Sequence, residues 1–335
     1  MQRFGQRSAK RSVCNSLCSR KHGYAGKLRA YEAMSWTKVV AITGCDSGLG
    51  WAIAARAARE GLVTIAGMYN GCDTEAAQEL KKFCVHPCKL DVTDSQSVTE
   101  FRDYVNNVIL DNPHYKLYAV VNNAGVMTIG NYEWHTPQII ENTINVNLLG
   151  AMRVVSSFLP EIRRSAAFSD FKPRIINVAS HCGLQPMPGF GPYSASKAGL
   201  LAWTRAVHLE HFQDGLSVVS FIPGGFIGSS NLTTNQVANG DKMLSHLSEE
   251  QKSVYETRMK TLNTYLGQAS NNPRFDSLNN EDIIETFIKA LSDHKPKQIY
   301  KVESWRYKLY YNLLKLPLPD ATYHWLIKKF LNFPE

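Results

Sequence analysis

The chain of 335 residues has no apolar run long enough to cross a membrane. A spanning helix needs about 20 consecutive, mainly apolar residues. We therefore expect neither an integral membrane protein nor an amino-terminal membrane anchor. Internal repeats are also missing from the sequence. Its length suits one large core with appended segments.

Cysteines are few, and their spacing suggests neither a disulfide framework nor a metal site. The densest group, Cys84-Val-His-Pro-Cys88, offers two thiols and an imidazole. It lies in a predicted strand, however, and no second pair of ligands accompanies it. We expect no metal and interpret the cysteines as strand residues in a reducing compartment.

Acidic residues are absent from residues 1–30, which contain eight Lys and Arg. The formal net charge of +8 therefore resides in this segment, and the rest of the chain is neutral. Nucleic-acid binding by the folded part has little compositional support. Residues 1–36 form a basic tail that resembles a mitochondrial transit peptide. A disordered basic extension and a segment that touches anionic lipid are the alternatives.

Short apolar runs alternate with helical patterns through residues 37–303. Helical stretches separate most of the runs, as parallel strands require. The expected fold is α/β, a single doubly wound, Rossmann-like domain with a parallel sheet. The predicted strands are 37–43, 62–68, 84–92, 116–121, 173–179, 216–221 and 297–302.

A Ser, a Tyr and a Lys stand at separations of thirteen and four residues. Ser180 ends a predicted strand, and a Gly- and Pro-rich loop leads into a helical stretch that carries Tyr193 and Lys197. Because Tyr193 and Lys197 lie one helical turn apart, the ammonium should lower the pKa of the phenol from about 10. A nearby cofactor cation could supply part of the shift that brings this pKa towards neutrality. This set predicts a general base for an alcohol, with the Ser180 hydroxyl holding the substrate oxygen.

A Gly-rich turn, Thr43-Gly-Cys-Asp-Ser-Gly-Leu-Gly50, follows the first predicted strand and precedes a helical stretch. Strand, Gly-rich turn and helix form the arrangement that binds the pyrophosphate of a dinucleotide. The spacing Gly-x-x-x-Gly-x-Gly differs from the commoner Gly-x-Gly-x-x-Gly. A tight connection without a ligand is the alternative for this turn alone.

The second predicted strand ends in Met68-Tyr-Asn-Gly, which offers neither an acid for a ribose 2′-hydroxyl nor a base for a 2′-phosphate. Asp46 in the Gly-rich turn would disfavour an additional phosphate. We therefore expect NAD, with NADP less favoured. Asp46 could instead act as the amino-terminal cap of the helix.

These motifs resemble those of the short-chain dehydrogenase/reductase family over roughly residues 37–230. The similarity extends to one branch, which holds retinol, 17β- and 11β-hydroxysteroid and 3-hydroxybutyrate dehydrogenases. The further matching segments are Leu90-Asp-Val-Thr, Asn122-Asn-Ala-Gly125, Asn145-Val-Asn-Leu-Leu-Gly150 and Pro223-Gly224.

The resemblance implies roles for the matching residues. Tyr193 is then the acid/base, Ser180 orients the substrate oxygen, and Lys197 binds the nicotinamide ribose. Asn147 would hold a water in a proton relay with Lys197. Cofactor contacts are implied for Thr43, Gly44, Asp46, Ser47, Gly48, Leu49, Gly50, Asp91, Val92, Asn122, Ala124, Gly125, Tyr193, Lys197, Pro223 and Gly224.

Two of these implied roles are more specific, and one position departs from the branch pattern. Asp91 would contact the adenine, and Asn122 would steady the central strand. The branch usually places a Thr four residues after Gly224, where this chain has Gly228 followed by Ser229. The contact to the cofactor carboxamide therefore lacks its usual residue.

Segments outside the shared core should contact the substrate. Residues 226–278 form a polar insertion with one helical stretch near 249–266, which we interpret as a lid. Residues 304–335 mix aromatic and Leu residues with Lys. This segment could wall a lipophilic pocket, lie on a membrane surface or pack as an amphipathic cap. Its Tyr311–Lys315 pair repeats the Tyr-x-x-x-Lys spacing, and we interpret it as incidental.

The sequence thus predicts an NAD(P)-dependent oxidoreductase that interconverts a hydrophobic alcohol and its carbonyl, with a steroid favoured, then a retinoid. A 3-hydroxybutyrate-type dehydrogenase is one alternative, which a cationic pocket residue would indicate. A non-catalytic nucleotide-binding regulator is the other, although the complete Ser-Tyr-Lys-Asn set argues against it. Peripheral membrane contact and a homo-oligomer are further expectations. The location, at the endoplasmic reticulum surface or in mitochondria, is left open.

Overall fold

A computed structural model describes residues 36–167, 171–225, 231–269 and 274–331. Within these residues, seven parallel strands form one sheet in the order β3-β2-β1-β4-β5-β6-β7. The strands are β1 (Thr37–Thr43), β2 (Val63–Met68), β3 (His86–Lys89), β4 (Tyr115–Asn122), β5 (Arg174–Val178), β6 (Ser217–Ile222) and β7 (Ile299–Lys301).

Helices cover both faces of the sheet, as a parallel sheet with buried faces requires. The helices are α1 (Gly48–Arg59), α2 (Glu75–Lys82), α3 (Ser95–Leu110), α4 (Pro137–Ile144), α5 (Ala151–Ala166), α6 (His181–Leu184), α7 (Gly191–His211), α8 (Gln236–His246), α9 (Glu249–Ala269), α10 (Glu281–Ser292), α11 (Trp305–Leu313) and α12 (Asp320–Leu331). A π-helical turn at Asn145–Gly150 joins α4 to α5.

Each central strand buries side chains in two separate cores. In β1, Val40 and Ile42 belong to the core that includes α1 and α10. Val39 and Ala41 belong to the core that includes α3 and α5. Alternate side chains of a strand point to opposite faces, so the continuous apolar run in β1 reflects burial on both sides.

The strand order reverses between β1 and β4. β1 is followed by a connection to β2 on one side, whereas β4 lies on its other side. Ligands of open α/β sheets bind at such a switch point, beyond the carboxyl ends of the strands. The Gly-rich turn follows β1, and Asn122 to Gly125 end and follow β4, so both motifs lie at this edge. The predicted Rossmann-like α/β fold is confirmed.

The structure corrects one predicted strand and the number of helices in the lid. The predicted strand 84–92 is only His86–Lys89, because Cys84 turns into the left-handed region with a φ of 60°. The lid contains two helices where one was predicted, since α8 precedes α9. The α8 sequence contains Asn, Gly and Asp, which are poor helix formers. Burial of Gln236 and Met243 stabilises α8 through tertiary contacts.

The lid and the carboxy-terminal helices form a third apolar cluster, separate from the two sheet cores. It includes Met243 from α8, Leu262 from α9, Tyr311 from α11 and Leu326 from α12. No helix among the described residues combines the length and the apolarity needed to span a bilayer. Nearly all of the predicted basic tail, together with Gly228 and Ser229, lies outside the described residues.

Candidate active site

A cavity of about 740 Å³ opens at the carboxyl edge of the sheet, where β1, β4 and β5 end. One side is built by the Gly-rich turn and the strand ends, and the other by the α6–α7 region and the carboxy-terminal helices. Most of the residues predicted for the site line it: Gly44, Asp46, Ser47, Leu49, Gly50, Asp91, Val92, Ala124, Gly125, Ser180, Tyr193, Lys197, Pro223 and Gly224. These residues, which come from distant parts of the sequence, therefore line one continuous cavity in the folded chain.

Four predicted residues, Thr43, Gly48, Asn122 and Asn147, do not line the cavity. The Thr43 hydroxyl accepts hydrogen bonds from the backbone N–H groups of Asn123 and Ala124, both at 3.0 Å. The Gly48 N–H donates to the Phe275 carbonyl at 2.8 Å. Thr43 thus ties the end of β1 to the chain after β4.

Asn122, for which the resemblance implies a part in steadying the central strand, lies at the end of β4. Its side-chain amide donates to Asn177 Oδ1 at 2.7 Å, which links β4 to β5. It is buried, with 4% of its surface exposed. The neighbouring Asn123 lines the cavity instead, and its amide donates to the carbonyls of Thr43 and Gly44 at 3.0 and 2.9 Å.

Glycine is required at two positions of the turn by close backbone contacts. Gly44 has a φ of 69°, and a Cβ there would lie 2.7 Å from the Ala124 Cα. A Cβ on Gly50 would lie 2.0 Å from the Gly44 carbonyl oxygen. Because no side chain fits at either position, glycine lets the turn pack closely on itself and on the chain after β4.

Asp46 joins the Gly-rich turn to the end of β2. Its two carboxylate oxygens accept hydrogen bonds from the backbone N–H groups of Tyr69 and Asn70, each at 2.8 Å. The alternative role as a helix cap is wrong, since Ser47 occupies that position and makes no side-chain capping bond. The Asp46 carboxylate is thus held beside the end of β2, where the sequence after Met68 offers no acid.

Asp91 lies at the cavity wall just after β3. Its Oδ1 accepts hydrogen bonds from the Thr93 N–H at 2.8 Å and from the Thr93 hydroxyl at 2.7 Å. Its backbone N–H donates to Ser97 Oγ at 2.9 Å. These bonds fix the carboxylate at the side of the cavity where the resemblance places the adenine.

Ser180, Tyr193 and Lys197 converge in the cavity. Ser180 caps α6, and its Oγ accepts from the Cys182 N–H at 3.2 Å while hydrogen-bonding the Tyr193 side chain. Lys197 Nζ donates to the Val178 carbonyl at 2.8 Å and lies 5.9 Å from the centre of the Tyr193 ring. The predicted i, i+4 pair therefore shares a face of α7 towards the end of β5.

Burial shifts the pKa values of Tyr193 and Lys197 in opposite directions. It raises the pKa of Tyr193 well above its ordinary value, and the bond to Ser180 opposes this only in part. It also lowers the pKa of Lys197 to about 8. The prediction that Lys197 brings the pKa of Tyr193 towards neutrality is wrong for the protein chain by itself. Desolvation of the phenolate outweighs the favourable interactions.

Asn147 lies in the π-helical turn behind the cavity and is completely buried. Its Oδ1 accepts from the Val126 N–H at 2.8 Å, and its Nδ2 donates to the Val126 carbonyl at 2.9 Å and to Ser196 Oγ at 3.0 Å. Ser196 in turn donates to the Tyr193 carbonyl at 2.7 Å. Asn147 therefore connects the loop after β4 to the start of α7. π-Helical turns are frequent at functional sites.

Residues 304–335 were offered as a possible wall of a lipophilic pocket, and they form part of the far wall of the cavity. Sequence reasoning missed His181 in this wall. His181 follows Ser180 directly, and its Nε2 lies 3.3 Å from Glu303 Oε1. Its ring packs against Tyr307 and Tyr311, with centres 4.9 and 5.1 Å apart. Burial lowers the pKa of His181. Tyr311 lines the cavity, whereas Lys315 does not, so the Tyr311–Lys315 pair does not form a second Tyr–Lys site there.

The family model for short chain dehydrogenase matches residues 38–239. The chain belongs to the short-chain dehydrogenase/reductase family. It is therefore an oxidoreductase, as the Ser-Tyr-Lys spacing and the Gly-rich turn predicted.

Known members of this family resemble the chain over much of its length. Mitochondrial D-beta-hydroxybutyrate dehydrogenase of Bos taurus is 31% identical over 226 residues, covering 65% of this chain and 64% of the bovine protein. Retinol dehydrogenase 16 of Mus musculus is 30% identical over 295 residues, covering 86% and 88%. These relatives confirm the predicted branch of the short-chain dehydrogenase/reductase family.

A solved structure supports the fold. The short-chain dehydrogenase/reductase from Burkholderia phymatum in complex with NAD has a TM-score of 0.61 to this chain at 19% identity. The match covers 79% of this chain and 89% of the bacterial one.

Proposed function

We propose that the protein is an NAD-dependent dehydrogenase that interconverts a lipophilic alcohol, a steroid or a retinoid, and its carbonyl. The observation that carries this proposal is the convergence of Ser180, Tyr193 and Lys197 in one cavity. The Gly-rich turn forms one side of this cavity, and an aromatic wall forms the other.

Each side chain has a distinct task in the proposed reaction. Tyr193 takes the alcohol proton in oxidation and returns it in reduction, and Ser180 Oγ holds the substrate oxygen beside it. When bound, the nicotinamide accepts or supplies the hydride. The Lys197 ammonium stabilises the phenolate that forms when Tyr193 gives up its own proton. Asn147 positions the start of α7 through Ser196 and the Tyr193 carbonyl.

The composition of the far wall favours a lipophilic substrate. It includes Met187, Phe190, Tyr307, Tyr311 and Phe330. Small-molecule sites of this kind combine an apolar lining with a few polar groups that fix orientation. Here the apolar lining adjoins the polar trio, since Tyr193 packs in the same cluster as Met187, Phe190 and Tyr311. An alcohol at one end of a lipophilic molecule would therefore meet Ser180 and Tyr193.

Arg306 bears on the hydroxy-acid alternative, which a cationic residue in the pocket would indicate. Apart from Lys197, it is the only Lys or Arg among the described residues that line the cavity. Its Nη2 donates to the carbonyls of Lys329 and Phe330 at 3.2 and 2.8 Å, and its guanidinium packs over the Phe330 ring. Because these contacts engage the guanidinium at the end of α12, a carboxylate substrate has less support than a lipophilic alcohol.

The preference for NAD rests on Asp46. Its carboxylate, held beside the end of β2, would accept a hydrogen bond from the ribose 2′-hydroxyl and would repel a 2′-phosphate. Lys89 lies near the same strand end, with its Nζ 5.1 Å from the centre of the Tyr69 ring. Its positive charge could counter the preference for NAD by attracting a 2′-phosphate.

We predict that the protein binds NADH about tenfold more tightly than NADPH, a difference of about 1.4 kcal/mol. Asp46→Ser should reduce that ratio, since it removes the repelling charge. Lys89→Gln is the matched control and should leave NADH affinity unchanged. Fluorescence titration of the three proteins with NADH and NADPH measures all six affinities. A preference for NADPH that Lys89→Gln abolishes would show that the lysine, and not Asp46, decides the cofactor.

Tyr193→Phe tests the reaction itself. Purified protein is screened with NAD and NADP against steroids, retinoids and 3-hydroxybutyrate, with the absorbance of the reduced cofactor as readout. The variant should lose activity by about a hundredfold or more, because proton transfer is lost. Its affinity for NADH should stay nearly unchanged. Tyr265→Phe in α9, outside the cavity, is the control.

The outcomes of this screen are distinct. Near-normal turnover by Tyr193→Phe would contradict the proposed acid/base. Turnover of 3-hydroxybutyrate alone would favour the hydroxy-acid alternative. Tight NADH binding without turnover of any of these alcohols would favour a nucleotide-binding regulator.

A further inference from the structure

Helix α11 is apolar on two opposite sides. Its inner side carries Tyr311, which is 5% exposed and belongs to the apolar cluster below the lid. Its outer side carries Trp305 and Leu309, which are 76% and 47% exposed, and Leu316 just beyond the helix is 53% exposed. A surface helix normally presents polar residues on its outer side. The exposed Trp and Leu side chains therefore require an explanation other than packing among the residues that the structure describes.

The exposed side chains form one continuous patch. Trp305, Leu309 and Leu313 repeat every four residues and so lie along one stripe of the helix. With Leu316 they line a shallow depression of about 500 Å³. Lys308 stands at the same depression. Contiguous exposed apolar patches rimmed by polar residues mark sites of interaction with proteins or membranes.

The charges around the patch indicate which partner it fits. Exposed basic residues outnumber acidic ones across α11 and α12, where Asp320 is the one acid. A second tryptophan, Trp325, is 56% exposed, and Lys329 Nζ lies 4.8 Å from the centre of its ring. The exposed basic residues are Arg306, Lys308, Lys315, Lys328 and Lys329.

These features match an anionic lipid surface better than a second copy of the chain. Tryptophan favours the headgroup level of a bilayer, and lysine reaches the phosphates while its alkyl chain stays on apolar surface. In a two-fold dimer the same patch would face itself. The lysines of one copy would then oppose those of the other, with Asp320 as the one acid in these two helices to balance them.

We propose that α11 and α12 dock the protein peripherally on an anionic bilayer surface, with Trp305, Leu309, Leu316 and Trp325 at the headgroup level. This docking goes beyond the proposed reaction and does not depend on it. The inner side of α11 walls the catalytic cavity through Tyr307 and Tyr311. The docked surface and the cavity are thus two sides of one helix.

Flotation of the full-length protein with lipid vesicles tests the docking. Vesicles of phosphatidylcholine with phosphatidylserine should carry the wild-type protein, and vesicles of phosphatidylcholine alone should carry less. At high salt the electrostatic contribution of the amino-terminal tail is screened. Under that condition the triple variant Trp305→Ser, Leu309→Ser, Leu316→Ser should bind at least about tenfold less, because it removes apolar surface without changing the charge.

Leu110→Ser is the matched control, since Leu110 is 77% exposed but lies on α3. It should float like the wild type. The thermal stability of the triple variant and its NADH affinity should match those of the wild type, which shows that the fold is intact. A wild-type protein that stays soluble with anionic vesicles at low salt would overturn the proposal, as would equal flotation of the triple variant. A wild-type dimer that the triple substitution dissociates, without lipid binding, would assign the patch to a second copy.

Discussion

Lys197 is almost completely buried, and its hydrogen bond among the described residues goes to the Val178 carbonyl. No carboxylate contributes to its titration, so burial alone lowers its pKa from 10.5 to about 8. A charge held in this way costs stability, because the ammonium is better solvated in the unfolded chain. The proposed function explains why it is retained, since the charge would stabilise the Tyr193 phenolate. Residues at functional sites commonly carry such a cost.

We predict that Lys197→Met abolishes turnover and stabilises the folded protein at neutral pH. The lowered pKa corresponds to a cost of about 3 kcal/mol, and loss of the bond to the Val178 carbonyl returns about 1 kcal/mol. The variant should therefore be more stable by about 2 kcal/mol in urea unfolding. A destabilised variant would show that the buried ammonium is better compensated than its contacts indicate.

The difference in stability between the wild type and Lys197→Met should depend on pH, in a direction that the lowered pKa of Lys197 determines. The pKa of Lys197 is about 8 when folded, whereas 10.5 is its ordinary value. Between these values the unfolded chain binds more protons, so this contribution to stability rises with pH. The stability advantage of Lys197→Met should therefore be largest below pH 8 and should shrink as the pH rises through that window. Urea unfolding of both proteins across the window measures the difference, and an advantage independent of pH would contradict it.

Helix α10 is fixed to the sheet by a buried arginine. Arg174 in β5 is 1% exposed. Its guanidinium donates to the carbonyls of Ala290 at 2.9 Å and Asp293 at 3.2 Å, at the carboxyl end of α10. A cation at this end of a helix satisfies unpaired carbonyls and favours the helix dipole. Burial lowers the pKa of Arg174, which shows that the charge is held against a desolvation cost.

We predict that Arg174→Ala destabilises the protein by about 3 kcal/mol or more, because it leaves buried carbonyls without donors and opens a cavity. Arg56→Ala is the matched control. Arg56 also holds α10, through Glu281 and Glu285, but these acids are exposed. Arg56→Ala should lower the free energy of unfolding clearly less than Arg174→Ala does, since exposed ion pairs contribute little to stability. Urea unfolding compares the two variants, and equal effects would contradict the role given to burial.

At the level of helices and strands, the sequence predicted the elements whose formation depends on short-range residue patterns. The central strands were placed within about a residue, because β-branched runs buried on both faces are bounded by turns. Helix α8 was missed because its stability comes from Gln236, whose amide bonds Ile129 from 107 residues away. The bond of Asp46 to Tyr69 and the pairing of His181 with Glu303 likewise join distant segments. Such pairings depend on the folded sheet and leave no local signal.

Considered as a whole, the molecule builds the proposed nucleotide side of the cavity and the aromatic wall from different apolar clusters. The Gly-rich turn and the ends of β1 and β4 are anchored in the two sheet cores. The aromatic wall belongs to the third cluster, built from the lid and the carboxy-terminal helices. Lid helix α8 reaches the sheet side through Gln236 and through Asn239, whose amide donates to Thr128 Oγ1 at 2.8 Å. Changes in the wall should therefore alter the use of substrate while leaving the nucleotide site intact.

Tyr311→Ala tests this separation. The ring of Tyr311 packs against His181, Tyr307 and Phe330, so its removal should destabilise the free protein by about 3 kcal/mol and raise KM for a lipophilic alcohol. Saturating NADH, at about 100 times its Kd, should still add about 2.7 kcal/mol of stability to the variant, as it does to the wild type. Thermal unfolding with and without NADH, alongside steady-state kinetics, measures both effects. Leu309→Ala on the outer side of α11 is the control and should change neither. If Tyr311→Ala instead loses the stabilisation by NADH, the wall and the nucleotide site are coupled, and the third cluster has to be regarded as part of the cofactor site.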